Sequence, residues 1–71
     1  MQEERFEMRS AVIDLLQLLK ATGYAATGGE AKLMVEDELI TVNGELEWRK
    51  RRKLHAQDVV EIDGQVRITL A

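Results

Sequence analysis

Seventy-one residues, 45% apolar and 32% charged, describe one small folding unit with a modest core and little room for an enclosed catalytic cleft. The absence of cysteine and the presence of one histidine exclude a disulfide framework and the usual thiolate or histidine-rich zinc sites. The net charge of -3 conceals an asymmetry: residues 1–48 carry -6, the run Arg49-Lys50-Arg51-Arg52-Lys53 carries +5, and residues 54–71 carry -2.

The start Met1-Gln2-Glu3-Glu4 lacks the basic and apolar regions of a signal peptide, and no apolar run approaches a membrane span, so a cytoplasmic location is expected. Phe6 and Met8 alternate with Arg5, Glu7 and Arg9, which predicts a short strand with one buried face. Leu15, Leu16, Leu18 and Leu19 then give the stripe of a short helix from about Asp14 to Ala21. Asp14 caps its start, with Ser10 as an alternative cap, Lys20 lies near its end, and Gly23 stops it.

Thr27-Gly28-Gly29-Glu30 has the form of a capping box and starts a second helix, whose inward stripe is Ala31, Met34 and Val35 while Lys32 and Glu36 point elsewhere. Two glycines in that first turn need a reason, since each costs about 1 kcal/mol relative to alanine in a helix interior. They suit either close approach of an anion to bare backbone N–H groups or a turn that tolerates glycine.

Leu39-Ile40-Thr41-Val42 is strand-like, and Asn43-Gly44 after it is the dipeptide of a type I′ hairpin turn. On the return strand Leu46 and Trp48 alternate with Glu45 and Glu47, and are expected on its core face. Asp58–Ile62 and Gln65–Leu70 flank Asp63-Gly64, a second hairpin. The order gives an α+β fold of two short helices and about four to five strands, in a single domain over residues 1–71.

The basic run falls between two strand segments. It reads either as a solvated charge run or as an anion-recognition site, because like charges crowded together repel unless a polyanion meets them. Trp48 is expected in the core, with base stacking as the other reading, and Tyr24 is expected to cover the end of the first helix. His55 has no partner pattern. The carboxylates of Glu36-Asp37-Glu38 and of Asp58, Glu61 and Asp63 lie in no enclosing pocket and read as solvated edges. Gly28-Gly29 matches no dinucleotide or phosphate-loop fingerprint, and Ser10, the only serine, sits in no nucleophile elbow. A non-catalytic module needing no cofactor or metal is expected.

Three ordered motifs, Thr27-Gly28-Gly29-Glu30-Ala31-Lys32, Ile40-Thr41-Val42-Asn43-Gly44-Glu45-Leu46-Glu47, and Arg49 through Leu54 with Asp58-Val59-Val60, resemble the S4-type RNA-binding domain. The chain is most similar to that family's small free-standing bacterial branch, the YbcJ-like proteins, over about Asp14 to Ile62. The resemblance implies an αL motif, two short helices packed on a small curved antiparallel sheet. It also implies binding of structured RNA, ribosomal or transfer. The expected partners are such RNA and the ribosome or its precursors, and a monomer is expected. The implied contacts are Thr27, Gly28, Gly29 and Lys32 at the second helix start, and Arg49, Lys50, Arg51, Arg52 and Lys53 in the basic loop. The chain departs from the family at Asp37, where glycine is common, and at Ala56-Gln57-Asp58, where the family has a Pro-Gly-Asp turn. Asp37 or Gln57 is therefore expected at positive φ. The alternative function is a protein-interaction module whose basic loop docks on an acidic partner in a larger assembly.

Overall fold

Four leucines in five positions cannot all face one side of an isolated helix, so the first helix must be covered from more than one direction. In a computed structural model describing all 71 residues, α1 (Leu15–Ala21) has Leu15, Leu16, Leu18 and Leu19 all buried, between α2 (Gly28–Glu36) and the β-structure. Withdrawing each such side chain from water contributes about 1.5–3 kcal/mol. Asp14 caps α1 by accepting from the Gln17 N–H at 2.9 Å, while the Gln17 side chain accepts from the Asp14 N–H at 3.3 Å, so the reciprocal box forms here. At the far end the Thr22 hydroxyl donates to the Leu18 carbonyl and Gly23, at φ 83°, ends the helix.

The second helix buries Ala31 and Val35, half-buries Met34, and leaves Lys32 and Glu36 exposed, as the stripe predicts. Its cap is one-sided. Thr27 Oγ1 accepts from the Glu30 N–H at 3.1 Å, but the Glu30 side chain does not return the bond.

Seven strands follow the order β1 (Gln2–Phe6), β2 (Ile13–Asp14), β3 (Ile40–Val42), β4 (Glu45–Leu46), β5 (Lys53–Leu54), β6 (Val59–Ile62) and β7 (Val66–Leu70). Five form one sheet in the order β1-β7-β6-β3-β4, and β2 pairs with β5 separately. The α+β class is as expected. The large sheet is mixed rather than wholly antiparallel, because β1 lies parallel to β7. The first strand covers Gln2–Phe6 and leaves Met8 just beyond it, tied by its N–H to the Ala71 carbonyl at 2.9 Å. On the exposed face Arg67 spans three strands, bonding Glu3 on β1 at 3.0 Å and Glu61 on β6 at 3.1 Å.

Both hairpins turn as their dipeptides predict, with φ of 52° and 86° at Asn43-Gly44 and 52° and 63° at Asp63-Gly64. Asn43 also joins two turns: its side chain donates to Asp58 at 3.1 Å and accepts from the Val59 N–H at 2.9 Å. Burial alone pushes the Asp58 carboxyl up, but bonds from the His55 N–H and Asn43, with the charges of Arg52 and His55, bring it below the ordinary range. After α2 the positive φ falls one residue later than expected. Asp37 is at -81° and Glu38 at 61°, because Asp37 still closes the last helical turn through its N–H to Leu33. Gln57 takes the expected left-handed conformation, at φ 76°.

Candidate nucleic-acid interface

The two-residue turn at Asn43-Gly44 fixes more than a reversal. It sets Val42 opposite Glu45 and Thr41 opposite Leu46, and the Glu47 N–H continues the ladder to the Ile40 carbonyl at 2.9 Å. Ile40 and Val42 point into the core, so Glu47, opposite Ile40, must share that face. Leu46 and Trp48 are thereby turned outward, and they are 48% and 78% exposed. The expectation that they line the core is overturned: alternation along the strand was right, but its phase is set by the turn.

Glu47 is the only buried charged residue, at 2% exposure, and the basic run closes around it. Arg49 reaches it through Nε at 3.0 Å, Nη2 at 3.2 Å and its backbone N–H at 2.9 Å, and Arg52 Nη1 approaches the other side at 2.8 Å. Burial by itself pushes the Glu47 carboxyl up. The hydrogen bonds from Arg49 and Arg52, with the Arg49 charge, overcome that and hold it at about 2. In return, the carboxylate raises the Arg49 guanidinium above its ordinary value. The loop is fixed further where the Arg52 carbonyl accepts the Leu15 N–H at 2.9 Å.

Five consecutive cations are therefore not five equivalent ligands. The Arg52 side chain is only 28% exposed and is committed to Glu47. Arg49 shares that task but keeps 66% of its side chain in solvent. Lys50 crosses to Glu36 at the end of α2 at 2.6 Å, and Arg51, 75% exposed, lies 3.7 Å from Asp14 at the start of α1. Lys53, exposed on β5, makes no ion pair.

The second group of expected contacts lies at the other end of α2. Thr27 caps it, the N–H groups of Gly28 and Gly29 have no partner within the chain, and Lys32 is exposed and unpaired. Neither glycine is at positive φ. A Cβ would meet nothing within 4 Å at Gly28 and only Thr27 Oγ1 at 3.9 Å at Gly29, so internal packing does not require glycine at either position. Lys50 touches Glu36, eight residues along the helix from Gly28, which at 1.5 Å per residue separates the two groups by about 12 Å. The structure thus sets two cationic or N–H-bearing areas at opposite ends of one helix.

Tyr24 packs on the core, as expected of a residue covering α1, and its hydroxyl donates to Glu4 on β1. His55 is exposed, and its backbone N–H bonds Asp58 at 2.8 Å. The larger of two surface hollows, about 710 Å³, lies along β1 and β7 between Glu3, Arg5, Gln57 and Thr69, with none of the expected contact residues in it. No helix is long and apolar enough to cross a membrane.

Comparison with known families decides the lineage of this arrangement. The S4 domain model matches residues 6–69, which takes in both ends of α2, the hairpin and the basic loop. The chain belongs to the S4 domain family. The match extends beyond the Asp14 to Ile62 span of the motifs, taking in most of β7 but only Phe6, the last residue, of β1. Among relatives, the chain is 42% identical over 53 residues to RlbA of Bacillus subtilis, named a probable ribosome maturation protein, covering 75% of each chain. It is 35% identical over 52 residues to YbcJ of Escherichia coli, named a proposed RNA-binding protein, covering 73% of this chain and 74% of the other.

Proposed function

We propose that this chain is a non-catalytic RNA-binding protein that holds structured RNA, ribosomal or transfer, by its phosphates. The observation that carries this reading is the Glu47 anchor. A buried carboxylate takes up Arg52 and one edge of Arg49, and so fixes a loop whose remaining cations, Lys50, Arg51, Lys53 and the outer part of Arg49, are displayed on an otherwise acidic protein. A flexible charge run has no need of such an anchor. At the other end of α2, the free N–H groups of Gly28 and Gly29, with Thr27 and Lys32, form the second phosphate contact. The separation of about 12 Å along α2 suits two contacts on a folded RNA rather than one phosphate held by both groups. Membership of the S4 family and the name of YbcJ support RNA as the ligand, and the name of RlbA supports ribosome maturation as the setting.

The test is a salt titration of binding to structured ribosomal RNA fragments. With about three to five phosphates neutralised, log K falls against log salt by about 0.9 per contact for duplex and about 0.7 for single strands. The double variant Arg51→Ala/Lys53→Ala spares the Glu47 anchor. It is expected to keep the fold, weaken binding and flatten the slope by about 1.4–1.8. Unchanged affinity and slope in the folded variant refute the basic loop as the site. Equal or tighter binding to an acidic protein control would instead favour docking on a protein partner.

A further inference from the structure

Trp48 is the chain's single tryptophan, and the hairpin register turns it to solvent one residue before the basic loop. It borders a groove of about 390 Å³ whose apolar walls are Val35 and Leu46 and whose polar rim is Glu36, Glu38 and Glu47. The charges around this groove are unequally occupied. Glu36 is paired with Lys50, and Glu47 with Arg49 and Arg52, while Glu38 faces no cation. A phosphate is therefore disfavoured inside the groove and favoured just outside it, at the loop.

An occupant that fits both regions must have a flat apolar face for the indole, no negative charge of its own, hydrogen-bond donors on its edge for a carboxylate, and an anion attached next to it. A nucleobase with its own phosphate meets all four conditions. An acidic peptide fails the second, because its carboxylates would lie against Glu38. In a continuous duplex both faces of each base are already stacked, so only an unpaired base can offer a face to Trp48.

We propose that Trp48 stacks on an unpaired base of the bound RNA, with the base over the groove and the adjoining phosphates on Arg49 and Arg51. This inference rests on the RNA-binding reading above and adds to it the class of RNA: one with an exposed, unpaired nucleotide beside a helical segment. The charge partition orients that nucleotide, base toward the carboxylate rim and phosphate toward the guanidinium groups.

The experiment compares an RNA hairpin with an unpaired loop against a fully paired duplex of the same length, using wild type, Trp48→Ala and Trp48→Phe. Because there is one tryptophan, its fluorescence reports the contact directly. The hairpin is expected to quench it, and the paired duplex to leave it largely unchanged. Trp48→Ala is expected to lose about 5- to 150-fold in affinity for the hairpin. Its salt slope and its affinity for the duplex should stay as in wild type, and Trp48→Phe should recover most of the loss. Salt-dependent hairpin binding with no quenching and no loss in Trp48→Ala would overturn the stacking inference while leaving phosphate binding intact. No binding of either RNA at low salt would overturn both. A fluorescence change on concentrating the protein alone, with self-association that Trp48→Ala abolishes, would reassign the groove to a second copy and also overturn the inference.

Discussion

Replacing Glu47 with glutamine separates two explanations of the basic loop, because they predict opposite signs. The substitution keeps the shape of the side chain and removes one negative charge beside five cations. If the loop were a mobile charge cluster, RNA affinity would rise. If Glu47 is its anchor, affinity falls and the protein loses stability as well. A carboxyl held at about 2 rather than the ordinary 4.5 binds protons about 300-fold more weakly in the folded state, equivalent to about 3 kcal/mol of stability at neutral pH. Arg49 is largely solvated, so screening reduces the share recovered on mutation to about 2 kcal/mol. For a domain of this size that corresponds to about 8–16 °C in Tm. Because the folded-state pKa is depressed, the contribution is complete above about pH 4.5 and disappears as pH falls toward 2. Thermal melts of wild type and Glu47→Gln from neutral pH downward, with RNA binding at neutral pH, test both parts. The gap in Tm should be widest at neutral pH and close in acid. Equal Tm at neutral pH, or tighter RNA binding by the folded variant, would refute the anchor.

Arg52→Ala should destabilise by about 1–3 kcal/mol, since it strips a partner from a buried carboxylate, whereas Arg51→Ala should leave the Tm within about a degree while flattening the salt slope. Denaturant unfolding and salt titration of the two single variants distinguish a structural from a displayed cation. Asn43→Ala should cost about 2–3 kcal/mol by combining a left-handed backbone at φ 52° with the loss of the bonds to Asp58 and Val59, and Asn43→Gly should cost less because only the bonds are lost. Gln57→Gly is expected to stabilise by about 0.5–1 kcal/mol, since φ 76° is strained for glutamine and the backbone bond to Leu70 survives; a lower midpoint in denaturant would show that the side chain contributes more than the strain costs.

Much of this molecule is legible because local chemistry has few solutions. Leucine spacing with Asp14 in front yields α1, Thr27 yields the start of α2, and the Asn-Gly and Asp-Gly pairs yield two hairpins, since each depends on residues within a turn of one another. The parallel pairing of β1 with β7 was not legible, because it joins the two ends of the chain and no local pattern distinguishes it from an antiparallel edge. The misplacement of Trp48 is different. Its correction was within reach, because a two-residue turn after Ile40 and Val42 fixes which return-strand residues share their face, and those are Glu45 and Glu47. Hydrophobicity argued for Leu46 and Trp48 inward; hydrogen-bond register argued against it and prevailed, with two guanidiniums compensating the buried carboxylate.

Sequence alone thus determined the elements, the fold class and the location of the excess positive charge, all properties of neighbouring residues. Only the tertiary structure divided that charge into cations that hold the loop and cations that face solvent. Whether an arginine is a strut or a ligand depends on which carboxylate the fold brings to it, and Glu47 just after β4, Glu36 at the end of α2 and Asp14 in β2 lie in three separate parts of the chain.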